Sequence, residues 1–318
     1  MKNKPLFPLL LTILITSCSN NVKGIQSKIF PFDTFVEIKL MEGTKENVSD
    51  IEDIINYYDE LSDNYQSKAI NNVYLINQTN EQIEIDEALY KMLEKSFSMK
   101  EKGATMYNPL CGSLAKKWKD CFEKKEVLSD TIIQEELTKI NNSKINFLEN
   151  NKVQREGQAE IDLGGIAKGY TLDIVKTYLE EKELTRYIIN AGSSSILLGE
   201  KNTKDGLFSV GLKDVDNAYL KLKNCFVSTS SISEQHVVID GVIYSHIINP
   251  QTGSAISEND AVIVISNNGA EGDALSTAMM MNSIDEIKEL ETIFDVKTIV
   301  VKNGKIIYQN SNLEVNYH

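Results

Sequence analysis

The chain has 318 residues, 42% of them hydrophobic and 25% charged, enough apolar content to bury the core of one large domain or two smaller ones. Its formal net charge of −13 argues against nonspecific nucleic-acid binding, which needs an excess of Lys and Arg to displace counterions. A phosphate-bearing ligand would need a local device: a helix N-terminus, a lysine or a divalent cation.

The chain opens on the basic stretch Met1-Lys2-Asn3-Lys4, followed by an apolar run from Leu6 to Ile15. That run is short for a bilayer span and suits a signal peptide over residues 1–17. It ends Leu14-Ile15-Thr16-Ser17-Cys18, which resembles a bacterial lipoprotein signal. The resemblance implies cleavage before Cys18, lipidation of its thiol and a protein anchored in the cell envelope, facing the periplasm or exterior. Residues 19–28 are polar, so 18–28 reads as a tether and 29–318 as the folded domain. Three other cysteines, Cys111, Cys121 and Cys225, are widely spaced. They form no CxxC metal signature and no disulfide framework, and buried free thiols are expected.

Phe35 to Leu40 alternates apolar and polar residues and predicts a strand. Residues 45–63 and Ile83 to Phe97 carry helical periods, the second with Asp86 as N-cap. A Gly-Ala-Thr-Met-Tyr-Asn-Pro loop, 103–109, follows. Leu114 to Phe122, which holds the only tryptophan, Trp118, and Thr131 to Asn141 predict further helices. After Gly157 the pattern changes. Ile161 and Leu163 suggest a strand end, then comes a glycine turn, then a helix to about Leu179. Short strands are expected at 187–190, 207–212, 219–228, 235–240, 242–248 and 261–266. Asp240-Gly241 is the best hairpin turn in the chain. Helices over 273–281 and 284–290 precede a closing hairpin, 297–308, through Asn303-Gly304. Strands and helices mix without strict alternation, which predicts an α+β fold.

Three segments hold residues with chemical potential. The first is IDLGGIAKGYTLD, residues 161–173. It has neither the spacing of a P-loop nor that of a dinucleotide-binding loop. Its glycines would let backbone approach a ligand and Lys168 could pair with a phosphate; a packing turn beside a solvated lysine fits as well. Asp162 is a candidate nucleotide contact there, while Asp173, well inside the helix, reads as structural. The second segment is Tyr244-Ser245-His246 followed by the turn Asn249-Pro250-Gln251-Thr252-Gly253. A histidine at a strand end beside a loop is a candidate general base. A lone histidine is more often structural, and of the chain's two others, His236 and terminal His318, His236 reads so. The third is Asp273-Ala274-Leu275-Ser276-Thr277. On a helix, Asp273 and Thr277 share one face and could ligate a hard cation; Asp273 could equally be an N-cap.

The three segments, in this order, resemble the ApbE family of flavin transferases, bacterial enzymes that use FAD to attach FMN to a protein threonine or serine. Phe32-Asp33-Thr34, Ile189-Asn190-Ala191-Gly192 and Gly112-Ser113-Leu114-Ala115-Lys116-Lys117-Trp118 add to the match. The resemblance runs from about residue 30 to the C-terminus. It implies a single compact α+β domain with mixed or antiparallel sheets and a flavin cleft. It implies Mg²⁺ held by Asp273, Thr277 and the backbone of Gly165. It implies flavin-nucleotide contacts from Asp162, Lys168 and Ile247, with the loop Thr105, Met106, Tyr107 and Asn108 bordering the flavin. Phe32 and Tyr65 are further expected flavin neighbours, and His246 is the expected base. The reaction would form a phosphoester-linked flavoprotein and release AMP.

This chain departs from the family pattern at two places. The family usually reads Asn-x-Gly-Gly where this chain has Ala191-Gly192-Ser193. It usually reads Thr-Ser-Gly-Asp where this chain has Thr229-Ser230-Ser231-Ile232, so a carboxylate is missing. Two alternatives to flavin transfer stand beside it: Mg²⁺-dependent FAD hydrolysis to FMN and AMP, and flavin binding by a non-catalytic lipoprotein. Family acceptors carry a Ser/Thr-Gly-Ala-Ser/Thr core, which Lys102-Gly103-Ala104-Thr105 only half-matches. The expected partners are therefore FAD, a separate acceptor protein and a membrane.

Overall fold

The computed structural model describes residues 24–318. The expected signal peptide and Cys18 lie outside the described residues. In chain order, β1 (Ile25–Ile29) and β2 (Val36–Leu40) lead into α1 (Lys45–Ser62) and the short α2 (Val73–Asn77). Then come β3 (Gln82–Glu84), α3 (Glu87–Glu101), α4 (Gly112–Lys124), α5 (Asp130–Asn141), β4 (Lys144–Leu148) and β5 (Lys152–Glu156). The long α6 (Ala167–Glu181) is followed by β6 (Tyr187–Ala191), β7 (Ser195–Leu198), β8 (Phe208–Gly211), β9 (Ala218–Leu222) and β10 (Cys225–Ser231). A hairpin of β11 (His236–Ile239) and β12 (Val242–Ser245) precedes β13 (Ala261–Ser266), α7 (Gly269–Met279) and α8 (Ile284–Phe294). The chain closes with β14 (Lys297–Lys302), β15 (Lys305–Gln309) and β16 (Val315–Tyr317).

One sheet organises the molecule, in the order β1-β2-β6-β7-β10-β13-β14-β15, with neighbouring strands antiparallel. Its central strand β13 is buried along its whole length and almost wholly apolar, because both faces are covered. Alternate residues of β13 divide between the two: Val262 and Val264 pack under the helices, while Ile263 and Ile265 pack against Phe208 and Leu220 of the small sheet β16-β9-β8. On the β2–β6 side, Ile38 and Ile189 meet Ile51 and Ile55 of α1 and Val175 of α6. The fold is α+β, and no helix among the described residues is long and apolar enough to cross a membrane.

Several boundaries differ from the sequence expectation for identifiable reasons. Residues 25–28, expected in the tether, belong to β1, whose Ile25, Ser27 and Ile29 turn inward between exposed Gln26 and Lys28. The period-2 pattern is there but carries little apolar weight. Ile83 lies in β3, and α3 begins after Asp86, whose carboxylate accepts from the Ala88 N–H at 2.8 Å. The expected strand 219–228 is two strands, separated where Asn224 turns to φ 50°. The β4–β5 hairpin turns through Asn150-Asn151, both at positive φ, a weaker turn signal than Asn-Gly. The Asp240-Gly241 and Asn303-Gly304 turns form as expected, each with both residues at positive φ. Strand β12 stops at Ser245, so His246 sits just past its end.

Candidate active site

The glycine turn meets α7, which packs on the central strands β10 and β13. Leu163 C=O accepts from the N–H groups of Ile166 and Ala167, which starts α6 without a side-chain cap. Asp162 braces the turn: one carboxylate oxygen accepts from the Gly164 N–H at 2.7 Å, and its own N–H donates to Pro109 C=O at 2.8 Å. The second bond ties the turn to the 103–109 loop. At Gly165 a Cβ would lie 3.1 Å from the Tyr107 ring and 3.3 Å from Thr277 Oγ1. Glycine is what lets that backbone lie against Thr277.

Helix α7 begins four residues before Asp273, with Asn268 as its side-chain cap. Asp273 is therefore internal to the helix and not its N-cap. Its start is held from α6: the Asp173 carboxylate accepts from Gly269 N–H at 2.6 Å and Ala270 N–H at 2.9 Å, and burial pushes that carboxyl up to about 6. The two helices touch through glycine. A Cβ at Gly169 would stand 2.1 Å from the Gly269 carbonyl oxygen. This close crossing brings the Gly169 N–H to Asp273 Oδ2 at 2.7 Å.

Asp273 is 5% exposed. Its carboxylate accepts from Ser195 Oγ (2.9 and 2.8 Å) and Ser228 Oγ (2.6 Å). Burial raises its pKa, opposed by the Lys168 ammonium and these hydrogen bonds. Thr277 lies one turn on, as the spacing predicts. Most helix threonines here bond back to the carbonyl four residues earlier: Thr138, Thr171, Thr177 and Thr292 do so at 2.7–3.1 Å. Thr277 does not; its hydroxyl has only a 3.5 Å contact with Ser230 Oγ. Among the described residues no three His, Cys, Asp or Glu side chains converge as metal ligands. A cation here would be held by one carboxylate and neutral oxygens. A buried carboxylate, a hydroxyl with spare lone pairs and nearby backbone suit a hard cation such as Mg²⁺.

Opposite stands His246. Its backbone N–H and its Nδ1 both reach the Gln235 carbonyl, at 3.1 and 3.2 Å. A carbonyl only accepts, so Nδ1 carries the proton and Nε2 keeps its lone pair. The ring keeps an exposed edge at the cleft mouth. Even so, the surrounding protein and the Lys168 ammonium hold it below the ordinary histidine range, with the Gln235 bond pulling the other way. The imidazole is thus neutral at pH 7. The turn after it is fixed by Trp118, whose Nε1 donates to Gly253 C=O at 2.9 Å and whose ring stacks on Tyr244.

Asp162, Gly165, Lys168, His246, Asp273 and Thr277 line one open cleft, a concave surface with a few convergent polar groups, as small-ligand sites have. A family model described as the ApbE family matches residues 32–298. The chain belongs to the ApbE family. The FAD:protein FMN transferase of Treponema pallidum is 27% identical over 215 residues, 61% of this chain and 59% of its own length. That of Klebsiella pneumoniae is 32% identical over 157 residues, 46% of this chain and 48% of its own length. The match therefore spans about half to three fifths of those curated relatives. The crystal structure of the ApbE protein from Thermotoga maritima superposes with a TM-score of 0.78 at 26% identity, over 91% of this chain and 97% of that one. The flavin transferase ApbE from Vibrio cholerae, at 18% identity and a TM-score of 0.73 over 91% and 97% of the two chains, shows the fold alone.

Of the residues singled out by the ApbE resemblance, Met106, Tyr107, Asn108, Asp162, Gly165, Lys168, His246, Ile247, Asp273 and Thr277 line the cleft together. Three do not line it. Thr105 is exposed. Phe32 packs against the apolar core, with its N–H donating to Asp59. Tyr65 is 53% exposed, its ring under the ammoniums of Lys116 and Lys119. Sequence reading missed the serines: Ser195 and Ser228 on Asp273, Ser230 and Ser276 beside Thr277. It also missed Glu234, an exposed residue of the same wall whose carboxyl is pushed up by the protein around it. The signal available was the run of serines at two strand ends, 193–195 and 228–233. At the first departure from the family pattern, Ser193 keeps the left-handed conformation of a glycine, φ 61°, with its N–H donating to Asn190 Oδ1.

Proposed function

We propose that this chain transfers FMN from FAD to a serine or threonine hydroxyl of a target protein, in a Mg²⁺-dependent reaction that releases AMP. The observation that supports this most is the convergence of Asp273, Thr277, Gly165, Lys168 and His246 on one cleft. Two similar proteins are named FAD:protein FMN transferases.

Each residue has a separable task. The Lys168 ammonium offsets pyrophosphate charge in a protein that is acidic overall. Asp273, Thr277 and the Gly165 backbone are the residues that would hold Mg²⁺, which when bound would draw charge from the pyrophosphate oxygens. His246 Nε2 takes the proton of the acceptor hydroxyl. The freed oxygen bonds to the phosphorus on the FMN side, the phosphoanhydride bond breaks, and AMP leaves with the bridging oxygen. Positioning carries most of such a reaction.

The test is to incubate the full-length protein with FAD and Mg²⁺, with and without a synthetic peptide bearing a Ser/Thr-Gly-Ala-Ser/Thr core. AMP and flavin on the peptide are expected. AMP and free FMN without peptide labelling would make the enzyme a hydrolase, and no AMP would make it a flavin binder. Asp273→Ala is expected to lower Mg²⁺-dependent turnover on the order of 10²-fold; an unchanged magnesium titration would remove the metal assignment. The same proposal places the enzyme at the cell envelope through a lipid on Cys18. Loss of membrane partition in Cys18→Ala tests that part, and unchanged partition overturns it.

A further inference from the structure

The wall that carries His246 has a fastening of its own. Ser231, the last residue of β10, is fully buried. Its hydroxyl donates to Asp214 Oδ2, and Ser233 Oγ donates to the same oxygen at 3.1 Å. The Ser233 N–H in turn donates to Ser231 Oγ at 3.0 Å. The Glu234 N–H closes the turn onto Ser231 C=O, and the next residue is Gln235. Asp214 comes from the β8–β9 connection, far from this turn in sequence. It holds φ 60°, a left-handed conformation that Asp adopts more readily than most non-glycine residues.

This turn is the second place where the chain departs from the family pattern, with Ser231-Ile232 standing where glycine and a carboxylate usually stand. Here a carboxylate arrives from another loop and binds the two serines instead. Its consequence reaches the cleft through a short path. The serines fix the turn, the turn ends in the Gln235 carbonyl, and that carbonyl sets the His246 tautomer. The charged group that acts on the imidazole is Lys168 from α6, and Glu234 from the turn itself lines the same cleft.

We infer that Asp214 is a positioning residue for the general base. Through Ser231 and Ser233 it holds the Gln235 carbonyl against His246 Nδ1–H, which leaves Nε2 free for the acceptor hydroxyl. Its catalytic consequence rests on the flavin-transfer reading; its effect on the tautomer does not.

The experiment compares wild type, Asp214→Ala, Asp214→Asn and the double variant Ser231→Ala/Ser233→Ala, all full length. Long-range ¹H–¹⁵N correlation on ¹⁵N-histidine protein reads the tautomer without FAD. The chain has three histidines, so a His246→Gln sample assigns the signal. Wild type is expected to show Nδ1–H. Asp214→Ala should move His246 toward the Nε2–H form. It should also lower kcat for peptide flavinylation about tenfold, with KM for FAD changed less than twofold. Asp214→Asn keeps an acceptor oxygen and should restore both. If Asp214→Ala does not fold, the double serine variant must show the same tautomer change. An unaltered tautomer in the folded variants overturns the inference, whatever happens to Tm or rate. If wild type labels no peptide yet the tautomer shifts as expected, the flavin-transfer reading falls and the positioning role stands.

Discussion

Thr277 is set apart by what its hydroxyl leaves undone. Bonding back to its own helix would occupy the oxygen; instead it faces Gly165 and Ser230 with lone pairs to spare. Thr277→Val keeps the shape and removes the oxygen. It should raise the magnesium concentration for half-maximal activity several-fold with Tm within about 2 °C of wild type, because little internal bonding is lost. His246 yields a second prediction at this scale. Its pKa lies below the ordinary value of 6.5, and the base works only when neutral. The acid limb of kcat should therefore fall below pH 6.5, and His246→Ala should flatten that limb and cost about 10²–10⁴ in rate; near-normal turnover across pH would remove the role. The Asp273–Thr277 pair was legible because helix spacing places i and i+4 together. The serines around it were not, since a hydroxyl carries no periodic signature and Ser195 and Ser228 lie 78 and 45 residues from Asp273.

The crossing of α6 and α7 is where two elements become one site. Gly169→Ala would drive a methyl into the Gly269 carbonyl oxygen, a backbone atom that cannot swing aside. The helices would have to part, and a loss of about 3 kcal/mol or more is expected by denaturant titration. Asp173 adds a pH-dependent part to the same junction. Its folded pKa of about 6 stands above the ordinary 3.8, so the folded state binds the proton more tightly than the unfolded chain. Stability contributed by this group is full below about pH 4 and is lost as pH climbs through 6. Asp173→Asn should flatten that part of the Tm–pH curve; an unchanged slope between pH 4 and 6 would contradict the assignment. Helix α7 was expected to start at Asp273, because Gly269-Ala270-Glu271-Gly272 reads as loop when seen alone. Only the packing partners explain glycines at a helix start: Gly269 admits the crossing with α6, and Gly272 lies against Ser228 and Ser266 of the sheet.

For the molecule as a whole, the central strands and long helices were readable from period and turn chemistry, since burial on one or both faces writes itself into the apolar pattern. Edge pieces were not. Strand β1 is half-buried with polar alternates, and its pairing with β2 depends on a neighbour instead of its own composition. A chain beginning at Phe30 would uncover the β2 edge. It should unfold several degrees lower and aggregate more readily in a thermal scan; an unchanged Tm would mean that β1 adds nothing to the sheet.

Strand β1 also sets a length. From Cys18 to Ile25 is seven residue steps, which stretch to at most about 25 Å. A folded unit of this size is roughly 40–50 Å across. Were Cys18 fastened to a bilayer, the leash would be shorter than the body it holds. The cleft would then patrol a thin layer above the lipid, and hydroxyls presented within that layer would meet it far more often than those of proteins free in solution.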